Sequence, residues 1–292
     1  MKLAQRLIKG YYRTKFKTLG RLSPQKAATA AFQLFCTPYS GKPKREMPAV
    51  FHKAKRVTVQ SDELTINGFE WMPTSKSELQ TPNSPLKTIL ICHGFDSYSY
   101  RFDTYVLALL QEGCRVLAFD APAHGLSDGK RFTVLLYKKM LLEVERQFGP
   151  FYAIMAHSLG ALAVTLAMEE LQQPAVKLAL VAPATETTRA IDQFFTLFPV
   201  DPKTHAAFIQ LLETLGGNPV SWYSMTRTVQ VLPNPMLWLH DTEDRVCPFE
   251  DTATVQQLKL PNVQFVETTG LGHSKIYRDQ EIQKRIVNFL VH

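Results

Sequence analysis

No run of 18 apolar residues occurs in the 292-residue chain, which excludes a helix that spans a bilayer. The first twenty residues are basic, yet Tyr, Thr and Lys interrupt them throughout, and they lack the continuous apolar stretch and small-residue cleavage site of a secretory signal. Cysteine is scarce. Cys36, Cys92, Cys114 and Cys247 stand far apart, and with no Cys-x-x-Cys or His-x-x-x-His spacing in the chain there is no pattern for a metal site. They read as reduced, partly buried thiols rather than a disulfide framework. Internal repeats and low-complexity tracts are also missing. What remains is the expectation of a cytoplasmic globular protein, which an apolar fraction of 45% and a charged fraction of 20% suit.

Acidic residues are nearly absent from one region. Residues 1–56 hold 14 Lys or Arg against the single acid Glu46, a charge of +13, while the remaining 19 basic and 25 acidic residues carry −6. The net charge of +7 therefore belongs to the N-terminal segment alone. In residues 1–19, Leu3, Leu7, Ile8, Tyr11, Tyr12 and Phe16 recur at helical spacing among Lys2, Arg6, Lys9, Arg13, Lys15 and Lys17, the pattern of a basic amphipathic helix. Three uses are open to it: packing on the rest of the protein, peripheral contact with an anionic membrane through residues 1–20, or contact with nucleic acid. Packing is the first reading, and no nucleic-acid partner is expected. A second helix starts after Ser23-Pro24, where serine caps and proline fits the first turn, and runs through Phe35. Residues 40–48 read as a polar connector.

From Arg56 the periodicity shortens. Segments 57–59 and 64–71 alternate as the two strands of an antiparallel hairpin, and 74–85, rich in Ser, Thr and Pro, is a loop. Apolar strand-like runs follow at 88–92, 115–119, 152–155, 177–181, 235–240 and 263–266, with helical patterns at 102–111, 132–147, 158–171, 249–258 and 279–291. Such alternation argues a mostly parallel sheet covered by helices on both faces, eight strands with the hairpin included. Between 181 and 235 the rhythm breaks into helical patterns at 185–198 and 203–215. An insertion there reads as a small helical lid over the carboxyl ends of the strands, where ligands bind in open α/β sheets.

The organising stretch is 152–163, in which an apolar run meets Ala156-His157-Ser158-Leu159-Gly160 and then an alanine-rich helix. A serine on so sharp a strand-to-helix turn is presented with its hydroxyl exposed above a helix N-terminus, and small residues two before and two after let the turn close. An ordinary strand-to-helix loop gives the same five letters. The other strand ends carry His93-Gly94-Phe95, then Asp120-Ala121-Pro122-Ala123-His124-Gly125-Leu126-Ser127, then His240 through Pro248, and last Gly270-Leu271-Gly272-His273-Ser274. In this order the motifs resemble the α/β-hydrolase superfamily from about residue 56 to 292, in particular bacterial serine hydrolases with an Ala-His-Ser-x-Gly elbow.

That resemblance implies an α/β-hydrolase domain at 56–292 with a lid insertion at about 185–232, preceded by a basic helical extension at 1–55. It implies a triad of Ser158, Asp244 and His273. A serine hydroxyl attacks only as a base removes its proton, and an imidazole needs a carboxylate to fix its tautomer. His273, in a glycine-flanked turn after the last strand, is the base; His93, His124, His157 and His240 read as structural. Asp241, Glu243 and Asp244 share one loop, where the family pattern selects Asp244 and leaves Asp241 as the fallback. The backbone amides of Phe95 and Leu159 would form the oxyanion hole. Tyr98, Phe194, Phe195, Phe198 and Trp222 are the expected substrate-binding side chains, although the same aromatics would equally hold a lid helix in place. No cofactor and no metal are expected. The reading is a serine hydrolase acting on a small-molecule carboxylic ester or thioester. A non-catalytic ligand-binding or membrane-associated scaffold, acyl transfer, and peptide or C–C hydrolysis are the alternatives. A serine at the elbow argues against epoxide and haloalkane hydrolysis, whose enzymes place aspartate there.

Overall fold

The computed structural model describes residues 3–39, 45–73 and 85–292, so the connector expected at 40–48 and the loop expected at 74–85 fall largely outside the described residues. Eight strands are described: β1 (Lys55–Ser61), β2 (Leu64–Trp71), β3 (Thr88–Cys92), β4 (Arg115–Phe119), β5 (Ala153–His157), β6 (Lys177–Val181), β7 (Met236–Asp241) and β8 (Val263–Thr268). The first six helices are α1 (Leu3–Leu22), α2 (Pro24–Phe35), α3 (Ala49–His52), α4 (Asp103–Gln111), α5 (Val134–Phe148) and α6 (Leu159–Leu171). The others are α7 (Thr187–Leu197), α8 (Pro202–Gly216), α9 (Met225–Val231), α10 (Ala253–Leu258), α11 (Gly272–Lys275) and α12 (Gln280–Val291). Two compact units divide the chain, one made of Met1–Thr37 with Glu186–Ser224 and the other of Pro38–Thr185 with Met225–His292.

The larger unit holds the whole sheet, in the order β1-β2-β4-β3-β5-β6-β7-β8. β1 and β2 form the expected hairpin, in which Ser61 pairs with Leu64 across a tight turn and Asp62 takes φ 50°. From β4 onward all neighbours run parallel. Thr88–Cys92 is buried at every position, as a strand covered on both faces must be. Ile89 and Ile91 join a cluster with Val106 and Leu109 of α4 and Ile286 and Leu290 of α12. Leu90, between them, looks the other way, toward Leu141 of α5 and Val164 of α6. The sheet winds outward in both directions from β3 and β5, because β4 lies on the far side of β3 and β6 on the far side of β5. Adjacent strands whose connections leave in opposite directions open a crevice at their carboxyl ends.

Two local elements change the expected boundaries. The short helix α3 buries Phe51 against Phe69, Trp71 and Tyr100, with ring centroids 4.8 to 5.0 Å apart, and Trp71 Nε1 donates to the Val50 carbonyl. Residues 38–39 and 45–54 therefore belong with the sheet rather than with an extension reaching 55. Likewise, Arg227 of α9 makes a two-pronged ion pair with Glu169 of α6, 2.6 Å on each arm, so the inserted segment ends at Ser224 instead of 232.

The smaller unit is helical and is assembled from two stretches far apart in sequence. Its core gathers Phe16 of α1, Ala28, Ala31 and Phe32 of α2, Ile191 and Phe194 of α7, and Phe208 of α8. Ser23 caps α2 through a 3.3 Å bond from the Lys26 amide, and Asp201 caps α8 through the Thr204 amide. The basic extension and the insertion are thus one body, because each is amphipathic and supplies the aromatic face that the other needs. Among the described residues no helix is long and apolar enough to cross a membrane.

Candidate active site

At the mouth of the crevice β5 ends and α6 begins with one residue between them, Ser158, held at φ 55° and ψ −127°. A side chain adopts this region only when its surroundings impose it. The neighbours do so by crowding. A methyl group on Gly160 would sit 2.4 Å from the His93 carbonyl oxygen, and one on Gly94 would sit 2.7 Å from Ser158 Cβ. The loop after β3 and the turn after β5 thus touch at positions where only glycine fits.

Three of the expected residues come together here. Ser158 Oγ lies 3.1 Å from His273 Nε2, and His273 Nδ1 lies 2.7 Å from Asp244 Oδ2. A carboxylate can only accept, so the imidazole proton resides on Nδ1 and Nε2 is left to accept from the serine hydroxyl. Asp244 is fixed by its other oxygen, which takes the amides of Val246 at 2.8 Å and Cys247 at 2.9 Å. Asp241 points elsewhere: its carboxylate accepts from the Glu243 and Leu271 amides and from the Thr268 hydroxyl. Burial would raise its pKa, but these hydrogen bonds together hold it below the usual carboxylate value. It ties the loop after β7 to the turn that carries His273.

Leu159 is the first residue of α6, so its amide has no carbonyl one turn back to donate to. The Phe95 ring packs against His124, Phe132 and Tyr39.

The four other histidines at the strand ends hold backbone in place. His93 Nδ1–H donates to the Gly94 carbonyl while Nε2 accepts from the Ala121 amide, and His124 does the same between the Pro122 carbonyl and the Asp96 amide. Burial drives both pKa values down to about 4, so both rings are neutral at pH 7. His240 is buried against the Cys247 carbonyl. His157, read from the sequence as structural, donates its Nε2–H to the backbone carbonyl of His273 at 3.1 Å, and the two rings lie 4.8 Å apart. Burial, followed by the neighbouring His273, pushes its pKa well down. Its Nδ1 is buried without a hydrogen-bond partner among the described residues. No spacing rule points to this contact, since the two histidines are 116 positions apart.

All four cysteines are buried and unbridged. Burial pushes Cys92 up to about 12 and Cys114 up to about 11, and raises Cys247 as well, so none of these three is a ready thiolate. Among the described residues no group of three or more His, Cys, Asp or Glu is gathered to hold a metal ion.

The expected substrate-binding aromatics are engaged with one another. Tyr98 is buried between the Tyr100 ring and the Arg101 guanidinium. Within the helical unit Phe194 and Phe198 pack on Phe16, Phe195 lies 4.9 Å from Phe208, and Trp222 sits edge-on to Tyr223. Of the two readings given for the 194–222 aromatics, holding helices together is the one these contacts favour.

Comparison with known proteins places residues 89–282 within the model of the alpha/beta hydrolase family. A curated Escherichia coli (strain K12) relative, Esterase YjfP, is 26% identical over 188 residues, covering 60% of this chain and 75% of the relative. Among solved structures, Est1E of Butyrivibrio proteoclasticus with ferulic acid bound superposes with a TM-score of 0.62 at 19% identity, covering 80% of this chain and 98% of that one. The Pyrococcus furiosus esterase Pf2001 gives a TM-score of 0.61 at 19% identity, over 87% and 95% of the two chains. At such identity the structural likeness speaks for the fold.

Proposed function

The chain belongs to the alpha/beta hydrolase family, and from that premise we propose that it hydrolyses small carboxylic esters or thioesters through an acyl-enzyme on Ser158. The observation that carries this reading is the continuous relay from Ser158 Oγ through His273 to Asp244, with links of 3.1 and 2.7 Å. The names of the E. coli relative and of the P. furiosus neighbour, both esterases, favour an ester over an amide.

In this mechanism Ser158 Oγ attacks the acyl carbon as His273 Nε2 takes its proton. Asp244, its orientation set by the Val246 and Cys247 amides, keeps Nδ1 protonated and stabilises the imidazolium that forms. The amides of Phe95 and Leu159 receive the oxyanion, each such donor supplying about 3 kcal/mol of transition-state stabilisation. His273 then returns the proton to the departing alkoxide or thiolate. Water, deprotonated by the same nitrogen, attacks the acyl-serine, and collapse releases the acid and restores Ser158. Cys92, Cys114 and Cys247, their pKa values raised by burial, stay protonated and do not act as nucleophiles.

Intact-mass labelling with a fluorophosphonate tests this directly. One adduct per chain is expected on the wild type and none on Ser158→Ala or His273→Ala, with turnover of an activated short-chain ester lost in parallel. A folded wild type that takes up no label would overturn the reading.

A further inference from the structure

Helix α1 is used on one face only. Tyr12 and Phe16 meet Phe198 at 6.2 and 6.0 Å between ring centroids, and Phe16 is 1% exposed. Gly20, on the same side, lies so close to Asp201 that a methyl group there would sit 2.7 Å from the carboxylate. With about 100° between successive residues, the half of the helix turned away from this packing face divides into two flanks. One carries the exposed bases Arg6, Lys17 and Arg21. The other carries Leu7, Tyr11 and Leu22, which are 67%, 60% and 79% exposed, with Ile8 at its edge at 57%. Lys15 extends its ammonium over the Tyr11 and Tyr12 rings.

This distribution is unusual for a helix whose only role is packing. Four large apolar side chains face water on this one 20-residue helix, and α1 contains no acidic residue. Among the described residues, none of its bases makes an ion pair. A second copy of the chain would bring two basic flanks against each other, and a nucleic acid would neutralise the bases while leaving the leucines in water. An anionic bilayer satisfies both flanks at once, since its phosphates pair with Arg and Lys while its acyl region takes up Leu and Tyr.

We propose that α1 is a peripheral membrane-binding helix that lies flat on an anionic lipid surface, with Leu7, Tyr11 and Leu22 in the acyl boundary and Arg6, Lys17 and Arg21 on lipid phosphates. The chain then works at a membrane surface without spanning it. This inference stands apart from the hydrolytic reading, because none of these residues takes part in the proposed chemistry.

Co-sedimentation of the full chain with vesicles tests it. The probes are phosphatidylcholine alone and phosphatidylcholine mixed with phosphatidylglycerol, each at low and at physiological ionic strength. Expected are binding to the mixed vesicles, little binding to the neutral ones, and weakening as salt rises. An R6Q/K17Q/R21Q variant should bind the mixed vesicles about 150-fold more weakly, at roughly fivefold per lost base. An L7S/Y11S/L22S variant should bind at least tenfold more weakly. All six positions are exposed, so both variants should keep the wild-type melting temperature and fluorophosphonate labelling. Equal binding to neutral vesicles, or mixed-vesicle binding that survives either triple substitution, overturns the proposal. So does a dimer in solution that the L7S/Y11S/L22S change abolishes, or duplex-DNA binding without vesicle binding.

Discussion

Replacing Asp244 by asparagine leaves the loop in place and reverses the hydrogen bonding that reaches Ser158. Asp244 Oδ1 accepts two backbone amides, from Val246 and Cys247. In Asp244→Asn the carbonyl oxygen must keep that place, since turning the NH2 group toward two N–H donors would leave both unpaired at about 1–3 kcal/mol each. The NH2 group is then forced against His273 Nδ1. That nitrogen must accept, the ring proton moves to Nε2, and Nε2 can no longer take the serine proton. A wrong-tautomer base costs about four orders of magnitude in kcat in the protease triad, equivalent to about 5.5 kcal/mol. A comparable fall in kcat for an activated ester is expected here, with little loss of stability. Asp241→Asn is the control. Its two oxygens face the Glu243 amide on one side and the Leu271 amide on the other, so either rotamer sets the NH2 group against a backbone N–H. This variant should lose about 1–3 kcal/mol of stability, while the folded fraction keeps much of its kcat. Stopped-flow ester turnover and urea unfolding on both proteins decide the matter. Asp244→Asn within tenfold of wild type, or Asp241→Asn with the larger kinetic loss while fully folded, would refute the reasoning.

Other consequences are equally measurable. His93 and His124 have folded pKa values near 4 against 6.5 when unfolded, so the unfolded chain binds more protons between these limits. Their contribution is complete above pH 6.5 and is lost as pH falls toward 4; the raised pKa of buried Asp120 acts in the opposite sense just above 3.8. Urea midpoints taken across this range should fall with acidity, and a flat profile would contradict the neutral-ring assignment. His157→Gln retains an N–H near the Nε2 position, whereas His157→Asn does not reach the His273 carbonyl. The glutamine variant should keep kcat within a few-fold while the asparagine variant loses at least tenfold at similar KM, in line with the ~100-fold cost of a 1 Å misplacement; equal losses would reduce the contact to packing. Phe208→Ala, which empties a fully buried site beside Phe35 and Phe195, should cost about 3–5 kcal/mol in the helical unit. Faster amide exchange in α2 and α8 would report it, and a loss below about 1 kcal/mol would contradict the packing described.

How far the sequence could be read depended on whether a feature is written in local spacing. The sheet could be read because runs such as Thr88–Cys92 and Lys177–Val181 are apolar, and because the first of them ends in His93-Gly94. Ser158 stood out because its turn needs small residues on both sides. The four residues of α3 are too few to show a period. Asp241 and Asp244 sit three apart on one loop, and only the direction of each carboxylate distinguishes them. The aromatics from Phe194 to Trp222 looked like a pocket wall because composition cannot tell a ring that faces a ligand from one that faces another helix. Their partners, Phe16 and Phe35, lie more than 150 residues earlier, beyond any local pattern. The same separation hid the union of the basic N-terminal helices with the insertion.

That union also bears on how the chain leaves the ribosome. The first helices are made early, but the stretch that completes their core starts at Glu186, roughly 150 residues after Thr37. At ~5–20 residues per second, the apolar faces of α1 and α2 wait about 8–30 s for α7 and α8. During that interval the nascent chain presents Phe16 and Phe32 to its surroundings, and whatever first covers them, a chaperone or a lipid surface, meets the protein before its own later segments do.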